Sequence, residues 1–303
     1  MDVLEEQRAT PRVSPPQPKS GRGGEARARK RNAVLLFLLA CLGAALTLAP
    51  FYLMLVMSLK TSAEIAESPW ALPNTPQWSN YVRTWRIEGT DVTFALFFRN
   101  TLILAVLGTL GTTLSSSVVA FGFARLRFPG RDRLFVLLLA SMMLPGIVTT
   151  IPSYIGFRYL RWIDTFYPLI VPAYFAGAFN VFLLRQFFLT LPRELDEAAR
   201  LDGASFFQVY WRVLLPLTRP ALVTVALFAF IGAWKDLMGP LIYLNSTEKQ
   251  TLELGLRTFQ TIRGTEWNLL MAGSVIVLVP LLVLFFVGQR YFIQGIVMSG
   301  LKD

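Results

Sequence analysis

Charged side chains with helix-forming signals are concentrated in residues 191–216, between two long apolar segments. Pro192 is predicted in the first turn of a short helix, and acidic side chains follow it at the positive end of the helix dipole, where they are favoured. Asp196 and Arg200 are four residues apart, so we expect them to pair on one helical face. The chemistry open to such a segment is charge pairing with a polar surface.

A reversal of the chain is predicted directly after this helix. Asp202-Gly203 supplies the stop, because glycine accepts the left-handed conformation that closes a helix. Ser205 followed three residues later by Gln208 has the spacing of a capping box, which opens a second helix. The second helix is predicted to carry an apolar stripe and to end at a proline: Phe206, Tyr210, Val213 and Pro216. Residues 191–216, called the elbow below, are therefore predicted to be two short helices joined at a glycine.

The residue types give no support to bond-breaking chemistry. The chain has no histidine and a single cysteine, Cys41, so neither a zinc site nor a disulfide is expected. The glycine-rich loop G-x-x-x-x-G-K-[ST], which cradles nucleotide phosphates, does not occur. Paired catalytic carboxylates are also lacking, which argues against an integral-membrane enzyme. We predict no catalytic and no metal-binding residue.

The elements that must position the elbow are apolar helices. The 303-residue chain is 54% hydrophobic, with a mean hydropathy of +0.50. A helix needs about 20 apolar residues to cross a hydrocarbon core of ~30 Å. Six such runs predict an all-α integral membrane protein with six transmembrane helices: 33–57, 97–123, 134–155, 166–189, 221–244 and 270–287. Residues 1–32 are predicted to be a disordered basic tail that precedes a six-span domain, residues 33–303. Kinks are predicted at prolines inside the spans: Pro145, Pro152, Pro168, Pro172 and Pro280.

The net charge of +10 is explained by membrane topology rather than by nucleic-acid binding. Nineteen of the 29 Lys and Arg residues lie in the two terminal segments, the 123–133 loop and residues 185–219. By the positive-inside rule we expect both termini, this loop and the elbow to face the cytoplasm. The longest segment on the opposite side, residues 58–96, carries aromatic side chains that form either an interfacial belt or a docking surface for an external protein: Trp70, Trp78, Tyr81 and Trp85.

The elbow resembles the EAA loop of bacterial ABC-importer permeases. The matching residues are Glu197-Ala198-Ala199, Gly203, Val213 and Leu215-Pro216. Residues 124–130, 182–188 and 289–295 are similar to the carbohydrate-uptake branch, and within it to the smaller permease of maltose-type systems. The resemblance implies a type I ABC-importer permease fold, in which the elbow is a cytoplasmic coupling-helix loop that meets a separate ATPase. It assigns ATPase coupling to Glu197, Ala198, Ala199, Asp202, Gly203, Ala204, Leu215 and Pro216.

The same resemblance implies partners. They are a second permease subunit, two ATPase subunits that use ATP and Mg, an extracytoplasmic sugar-binding protein and the lipid bilayer of a bacterial inner membrane. No cofactor and no nucleic acid is expected on this chain. Two alternatives remain: a permease for another solute class, because the elbow is shared across importers, and a self-contained secondary transporter or channel, which would not need a docking helix.

A sugar that crosses lipid must exchange its hydration for hydrogen-bonding and aromatic surfaces. Candidates for such a translocation path are Tyr174, Asn180, Trp234, Lys235 and Asp236. Lys235 departs from the family, which usually has Asn at this position. Because ionisable residues inside an apolar run are functional candidates, Lys235 and Asp236 either bind sugar or form a structural pair near the outer interface, and we favour the pair. In the maltose-type relatives the sugar site can lie entirely in the partner permease.

Overall fold

The computed structural model describes residues 22–86, 92–261 and 264–300. The first 21 residues of the predicted tail lie outside the described residues. Residues 22–32, predicted to be disordered with them, are instead the first turns of a helix. The physical reason is composition, because Ala, Arg and Lys dominate this stretch and are strong helix formers.

Helices make up most of the described backbone. In chain order the α-helices are α1 (Arg22–Ser58), α2 (Ser62–Glu67), α3 (Ser79–Thr84), α4 (Phe94–Arg125), α5 (Arg131–Ser141), α6 (Gly146–Tyr159), α7 (Tyr167–Ile170), α8 (Ala178–Thr190), α9 (Glu194–Leu201), α10 (Phe206–Gln208), α11 (Leu215–Leu217), α12 (Arg219–Trp234), α13 (Met238–Tyr243), α14 (Leu252–Gly255) and α15 (Trp267–Gly300). The 3-10 helices are Val171–Phe175, Thr247–Lys249 and Leu256–Phe259, and Val209–Leu214 is a π-helix. Two short antiparallel strands, β1 (Gln260–Thr261) and β2 (Gly264–Thr265), pair Gln260 with Thr265 and Thr261 with Gly264.

The number of candidate membrane spans agrees with the sequence prediction. Four helical segments have the length and hydropathy of a span: Arg31–Ser58, Phe94–Arg125, Tyr167–Thr190 and Trp267–Gln289. Two helix pairs reach this length only across a sharp bend: Arg131–Ser141 with Gly146–Tyr159 at 97°, and Phe206–Leu217 with Arg219–Trp234 at 79°. When each bent pair is counted once, the described residues contain six candidate spans.

Two of the predicted spans are interrupted. The predicted span 134–155 is not one helix, because Pro145 lacks the N–H that would continue α5 and disfavours helical geometry at the residue before it. The predicted span 221–244 leaves the helix after Trp234 and resumes only as the short helix α13. Here Pro240 is the cause, since its ring would clash with the carbonyl of the fourth residue before it in a continuous helix.

The chain forms two compact units, residues 1–52 and 53–303. The described part of the first unit is entirely helical, and its side chains from residue 31 to residue 48 are exposed. The second unit contains the remaining elements and two apolar cores.

Helix α4 organises the second unit, where it packs against α8 and α12. One core lies toward the elbow and includes Ala120, Phe121, Ala124, Val181, Leu184, Phe188, Val209, Tyr210, Leu214, Ala221 and Val225. The other includes Phe94, Phe97, Ala105, Trp234, Leu252, Phe259, Leu269, Leu270 and Val277. Between them, Gly111 lets α4 approach the 3-10 segment closely, because a Cβ at Gly111 would lie 2.5 Å from the Tyr174 ring. Helix α4 therefore contacts both the elbow and an irregular stretch of the neighbouring span.

Candidate functional site

The first helix of the elbow, α9, ends in the predicted reversal. Gly203 has a φ of +82°, and its N–H donates to the Arg200 carbonyl at 3.0 Å. The N–H of Ala204 donates to the Ala199 carbonyl, also at 3.0 Å. These bonds satisfy carbonyls that a helix C-terminus leaves free, so the predicted glycine stop is confirmed. Pro192 lies two residues before α9 rather than in its first turn.

The second arm of the elbow begins at the predicted capping box. The Gln208 N–H donates to Ser205 Oγ at 3.3 Å, and the Ser205 N–H donates to Gln208 Oε1 at 2.7 Å. A π-helix, Val209–Leu214, follows, and the arm ends at Leu217 rather than at Pro216. Pro216 lies in α11, directly after the π-helix, one residue before this helical stretch ends. The chain then bends by 79° into α12.

An ion pair ties the elbow to the end of α4. Arg125 Nε lies 3.3 Å from Asp196 Oδ2, and the Arg125 side chain is 4% exposed. Arg125 Nη2 also donates to the Leu191 carbonyl at 2.9 Å. Burial raises the pKa of the Asp196 carboxyl, while the charges of Arg125 and Arg193 act in the opposite direction. The elbow is thus held at its base by a buried guanidinium.

The predicted pair between Asp196 and Arg200 is wrong. Asp196 is engaged by Arg125 instead, because a guanidinium buried at the end of α4 requires a counter-charge. Arg200 turns toward the second arm, where its guanidinium carbon lies 4.5 Å from the centroid of the Phe206 ring. That cation–π contact joins the two arms of the elbow.

A second anchor lies in the π-helical arm. The Tyr210 hydroxyl shares a hydrogen bond with Ser117 Oγ of α4, and its ring lies 5.0 Å from that of Phe121. The predicted apolar stripe is only partly right. Tyr210 is buried, Val213 is partly buried, and Phe206 is half exposed, while Val209 and Leu214 also face the core. The wider π turn changes which residues share a face, so the spacing of an ordinary helix does not apply.

The outer face of the elbow presents apolar side chains that the sequence interpretation missed. Leu201 is 90% exposed and Phe207 70% exposed. The Phe207 and Trp211 rings stack at 6.3 Å with an interplanar angle of 14°. An exposed patch of this kind, beside charged residues, is typical of a protein-docking surface. The missed signal was the presence of Leu and paired aromatics in an otherwise polar connector.

The predicted coupling residues divide between this outer face and the core. Exposed residues are Glu197, Ala198, Asp202, Gly203 and Pro216. Residues packed against the core are Ala199, Ala204 and Leu215. The small side chains at 199 and 204 therefore let the two arms lie close to the bundle, whereas the residues at 197 and 198 face outward.

An irregular stretch of backbone interrupts the fourth span, between the 3-10 helix Val171–Phe175 and α8. Ala176 adopts a φ of +58°, which is strained for a residue with a Cβ. Ser115 of α4 satisfies this backbone, since its Oγ accepts from the Ala176 N–H at 3.1 Å and lies 3.1 Å from the Ala173 carbonyl. Irregular backbone at membrane depth requires such a neighbour or a water-lined cavity.

Two candidate path residues flank this irregular stretch. Tyr174 is half exposed and borders an open cavity of about 550 Å³, which Ser115, Phe175 and Ala176 also line. Asn180 is partly buried in the first turn of α8. Broken helices of this kind are where transporters place substrate contacts. The assignment of these two residues to a path stays a prediction.

Trp234 lies in the packed core. It is 1% exposed, its indole N–H donates to the Val277 carbonyl at 3.1 Å, and its ring stacks on Phe230 at 5.4 Å. In this conformation the ring offers no free face to a solute, and a place for Trp234 on the translocation path stays a prediction.

Lys235 and Asp236 do not form the predicted pair. Within the described residues they make no salt bridge with each other, and Asp236 Oδ1 instead accepts from the Gly239 N–H at 3.0 Å. The reason is that both residues lie in the break before α13, where an aspartate can satisfy a free backbone donor. Lys235 is exposed. The pKa of the Glu253 carboxyl is raised because the group is buried, and the positive charge of Lys235 opposes this shift without cancelling it.

Asp164 links two loops on the opposite end of the bundle from the elbow. Its carboxylate accepts from the Asn245 N–H at 3.0 Å, from the Ser246 N–H at 2.9 Å and from Lys249 Nζ at 2.9 Å. Burial favours the neutral acid, but the hydrogen bonds from Ser246, Lys249 and Asn245 outweigh it and hold the pKa of Asp164 well below its ordinary value.

The fold and the elbow together define a multi-pass membrane protein in which a structured polar elbow connects two apolar segments. Residues 113–297 match the binding-protein-dependent transport system inner membrane component family. That match covers more than half of the chain, and the chain belongs to this family.

This chain matches individual relatives over most of their own length. The chain is 34% identical over 260 residues to the arabinooligosaccharides transport system permease protein AraQ of Bacillus subtilis, which covers 85% of this chain and 91% of that protein. It is 32% identical over 254 residues to the probable ABC transporter permease protein YurM of Bacillus subtilis, and this match covers 84% of this chain and 83% of that protein. It is 30% identical over 276 residues to the sn-glycerol-3-phosphate transport system permease protein UgpE of Yersinia pestis, and this match covers 89% of this chain and 98% of that protein.

A solved structure agrees on the fold. The crystal structure of a bacterial ABC transporter involved in the import of the acidic polysaccharide alginate contains a chain that matches 92% of this one, with a TM-score of 0.75, 24% identity and full coverage of that chain. The predicted ABC-importer permease fold is therefore confirmed, and this chain is a transport permease.

Proposed function

We propose that this chain is a permease subunit of an ATP-driven importer for a carbohydrate, an oligosaccharide or a related sugar. Support for the solute class comes from the relative named for arabinooligosaccharides, which matches 91% of its own length at 34% identity. The branch-specific segments at 124–130, 182–188 and 289–295 point in the same direction.

The elbow is the docking site for a separate ATPase subunit under this proposal. The observation that carries it is the outward face at Glu197, Leu201 and Phe207, fixed to α4 through the buried Arg125–Asp196 pair. An exposed apolar patch on a rigid base can fill a groove in a partner and transmit its displacement. ATP and Mg belong to that partner, because this chain has no phosphate-binding loop.

The proposed assembly contains a second permease, two ATPase subunits and an extracytoplasmic sugar-binding protein. The elbow, the 123–133 loop and both termini face the cytoplasm, as the distribution of Lys and Arg favours. On the opposite face, Trp70 and Trp78 are exposed, and this region is proposed to contact either the membrane interface or the binding protein. The translocation path runs beside the irregular backbone near Tyr174, where Ser115 secures the break.

The docking proposal is tested with Phe207→Ser in the transporter reconstituted into proteoliposomes. We expect ATPase association to weaken roughly tenfold or more, because the proposal makes Phe207 a central aromatic contact and truncation of such a contact costs about 2 kcal/mol or more. Tyr159→Ser, which removes an exposed aromatic away from the elbow, is the control and keeps full association. Equal association of both variants would refute docking through this face.

A glycerol-phosphate-type solute is the second candidate, because UgpE matches 98% of its own length at 30% identity. Uptake of labelled oligosaccharides and of glycerol 3-phosphate by the same proteoliposomes, supplied with the cognate binding protein, separates the two. Accumulation of the phosphate ester alone would replace the carbohydrate assignment and leave the docking proposal intact.

A further inference from the structure

An open cavity of about 730 Å³ lies where the chain turns from α4 into α5. Its charged lining is strongly basic, with Arg127, Arg131, Arg133 and Arg193 against the single acid Asp132. The coupling role proposed for the elbow uses Arg125 but none of the other three arginines of the 123–133 loop, Arg127, Arg131 and Arg133. The cavity therefore offers a concentrated positive charge that still needs a function.

Little of this charge is neutralised by the protein. Arg131 Nε pairs with Asp132 Oδ1 at 2.9 Å, whereas Arg127, Arg133 and Arg193 form no salt bridge within the described part of the chain. A fifth arginine, Arg185 of α8, lies within electrostatic range of Arg131. A cluster of guanidinium groups matches the geometry and the charge of a phosphate.

The turn that forms the cavity adds backbone donors. Gly130, which lines the cavity, has a φ of +79° and precedes the first residue of α5, an eleven-residue helix. The N-terminus of that helix, with its free N–H groups and positive dipole end, is thus brought to the arginine cluster. Two independent features, side-chain charge and helix polarity, favour an anion in the same place.

An apolar surface begins directly beside the basic cavity. On α5, Val136 is 62% exposed and Leu137 65% exposed, and Leu134 is half exposed. Phe135 turns inward instead, where its ring lies 4.1 Å from the Arg185 guanidinium carbon. A ligand that fits both surfaces has an anionic head and a hydrocarbon body.

We propose that this cavity binds the headgroup of an anionic phospholipid, with the phosphate among Arg127, Arg131 and Arg133 and the acyl chains along the exposed side of α5. Basic pockets at the cytoplasmic ends of membrane helices have the charge and depth that such headgroups require. A soluble phosphate would leave the adjoining apolar surface without a contact. A nucleic acid would need the basic surface to extend away from the membrane.

The bound lipid stabilises the base of the elbow. Arg127 and Arg193 line both this cavity and a neighbouring one of about 410 Å³, which Arg125, Asp196 and Glu197 also line. A phosphate beside Arg127 and Arg193 offsets the repulsion among these arginines. Anionic lipid is therefore expected to raise the thermal stability of the transporter as well as to bind.

The test uses the assembled transporter in nanodiscs of phosphatidylcholine, with or without phosphatidylglycerol. Native mass spectrometry measures the lipid that remains bound, and thermal unfolding measures stabilisation. We expect saturable binding of phosphatidylglycerol that weakens on the order of tenfold in the double variant Arg131→Gln/Arg133→Gln. The matched control Arg158→Gln/Arg257→Gln removes the same charge from exposed positions elsewhere and keeps wild-type binding.

Three results would overturn the proposal. Retention of phosphatidylglycerol by the double variant would show that the arginines do not hold it. Binding of inorganic phosphate, added alone in the phosphatidylcholine nanodiscs, with the affinity of the lipid would identify a free-phosphate site. Loss of the ATPase subunit from the double variant without anionic lipid would identify a protein interface. Arg133→Gln alone, which breaks no ion pair, keeps the test valid if the double variant folds poorly.

Discussion

Arg125, the last residue of α4, and Asp196, in α9, form an ion pair with 3.3 Å between Nε and Oδ2. The pair joins the end of a candidate membrane span to the first helix of the elbow. Arg125 is almost fully buried, so the pair cannot exchange freely with water. A displacement of α9 is therefore expected to displace the end of α4 as well, because the ion pair couples the two helices.

Removal of only one partner of this pair is expected to harm the protein most. Asp196→Ala leaves a buried guanidinium without its counter-charge, at a cost on the order of 3 kcal/mol, whereas Arg125→Leu/Asp196→Leu removes both charges. In the assembled transporter, the double variant should therefore unfold at a higher temperature than Asp196→Ala. Arg200→Ala, which removes only the contact with Phe206, is the control. An equally unstable double variant would show that the pair is not the source of stability.

Gly203→Pro should leave membrane insertion intact and uncouple transport. Proline requires a φ near −65°, whereas Gly203 has +82° and donates its N–H to Arg200, so the reversal between the two arms is lost. Glu197→Lys should uncouple in the same way by inverting an outward charge. Uptake and substrate-stimulated ATPase activity are measured in proteoliposomes, with Glu194→Lys as the charge control. Normal values for Gly203→Pro would disprove the role of the elbow.

The elbow shows how far local sequence signals reach. Gly203 and the pair Ser205–Gln208 act over three or four residues, and the structure has the reversal and the capping box that they predict. The Arg125 contact joins residues far apart in the chain, so helical spacing could only offer Arg200 as a partner. The ion-pair partner of Asp196 depends on which helices pack together, and a local sequence pattern does not carry that information.

The proline positions likewise predicted the breaks in the spans only in part. Pro145 signals an interruption, but the 97° bend between α5 and α6 depends on packing that one residue cannot specify. Pro240 also carried a signal, since a helix cannot run through it undisturbed, and the prediction of a continuous span to residue 244 missed it. Among the candidate path residues, the burial of Trp234 could not be predicted, because aromatic side chains suit a core and a sugar site equally.

The loops that Asp164 links should lose stability in acid. Its folded pKa lies below the ordinary value of 3.8, so its contribution is fully present above that value and is lost as the pH falls through the folded pKa. Asp164→Asn should lower the thermal stability at neutral pH, and the difference from the wild type should shrink in acid. Glu248→Gln, an acid in the same region, is the control. A difference that stays constant with pH would exclude the carboxylate as the cause.

Cysteine labelling tests the proposed orientation. In a Cys41→Ser background, an impermeant thiol reagent added outside should label a cysteine at Asn74 or Thr247. It should not label one at Ser20, which lies outside the described residues, or at Ser205, because the basic segments are expected to face the cytoplasm. Labelling after membrane disruption controls for reactivity. The reverse pattern would overturn the orientation and move the proposed ATPase to the wrong side.

Asp236 is expected to act through its side-chain oxygen rather than through its charge. Its Oδ1 accepts from the Gly239 N–H at the start of α13, a bond that an asparagine oxygen can also accept. Asp236→Asn and Lys235→Asn should therefore transport nearly as well as the wild type, whereas Asp236→Ala should lose about 1 kcal/mol of stability, the typical net contribution of one hydrogen bond.

Gly239→Ala should be damaging for the same structural reason. A Cβ at this position would lie 2.4 Å from Asp236 Oδ2 and 2.7 Å from Leu169 Cδ2, whereas Gly232→Ala meets no atom within 4 Å and serves as the matched control. Sugar uptake and thermal unfolding of all five variants, the control included, are measured on the reconstituted transporter. If Asp236→Asn were fully assembled and as stable as the wild type but inactive in transport, the carboxylate charge itself would belong to the translocation path, and the structural role argued for Asp236 would be wrong.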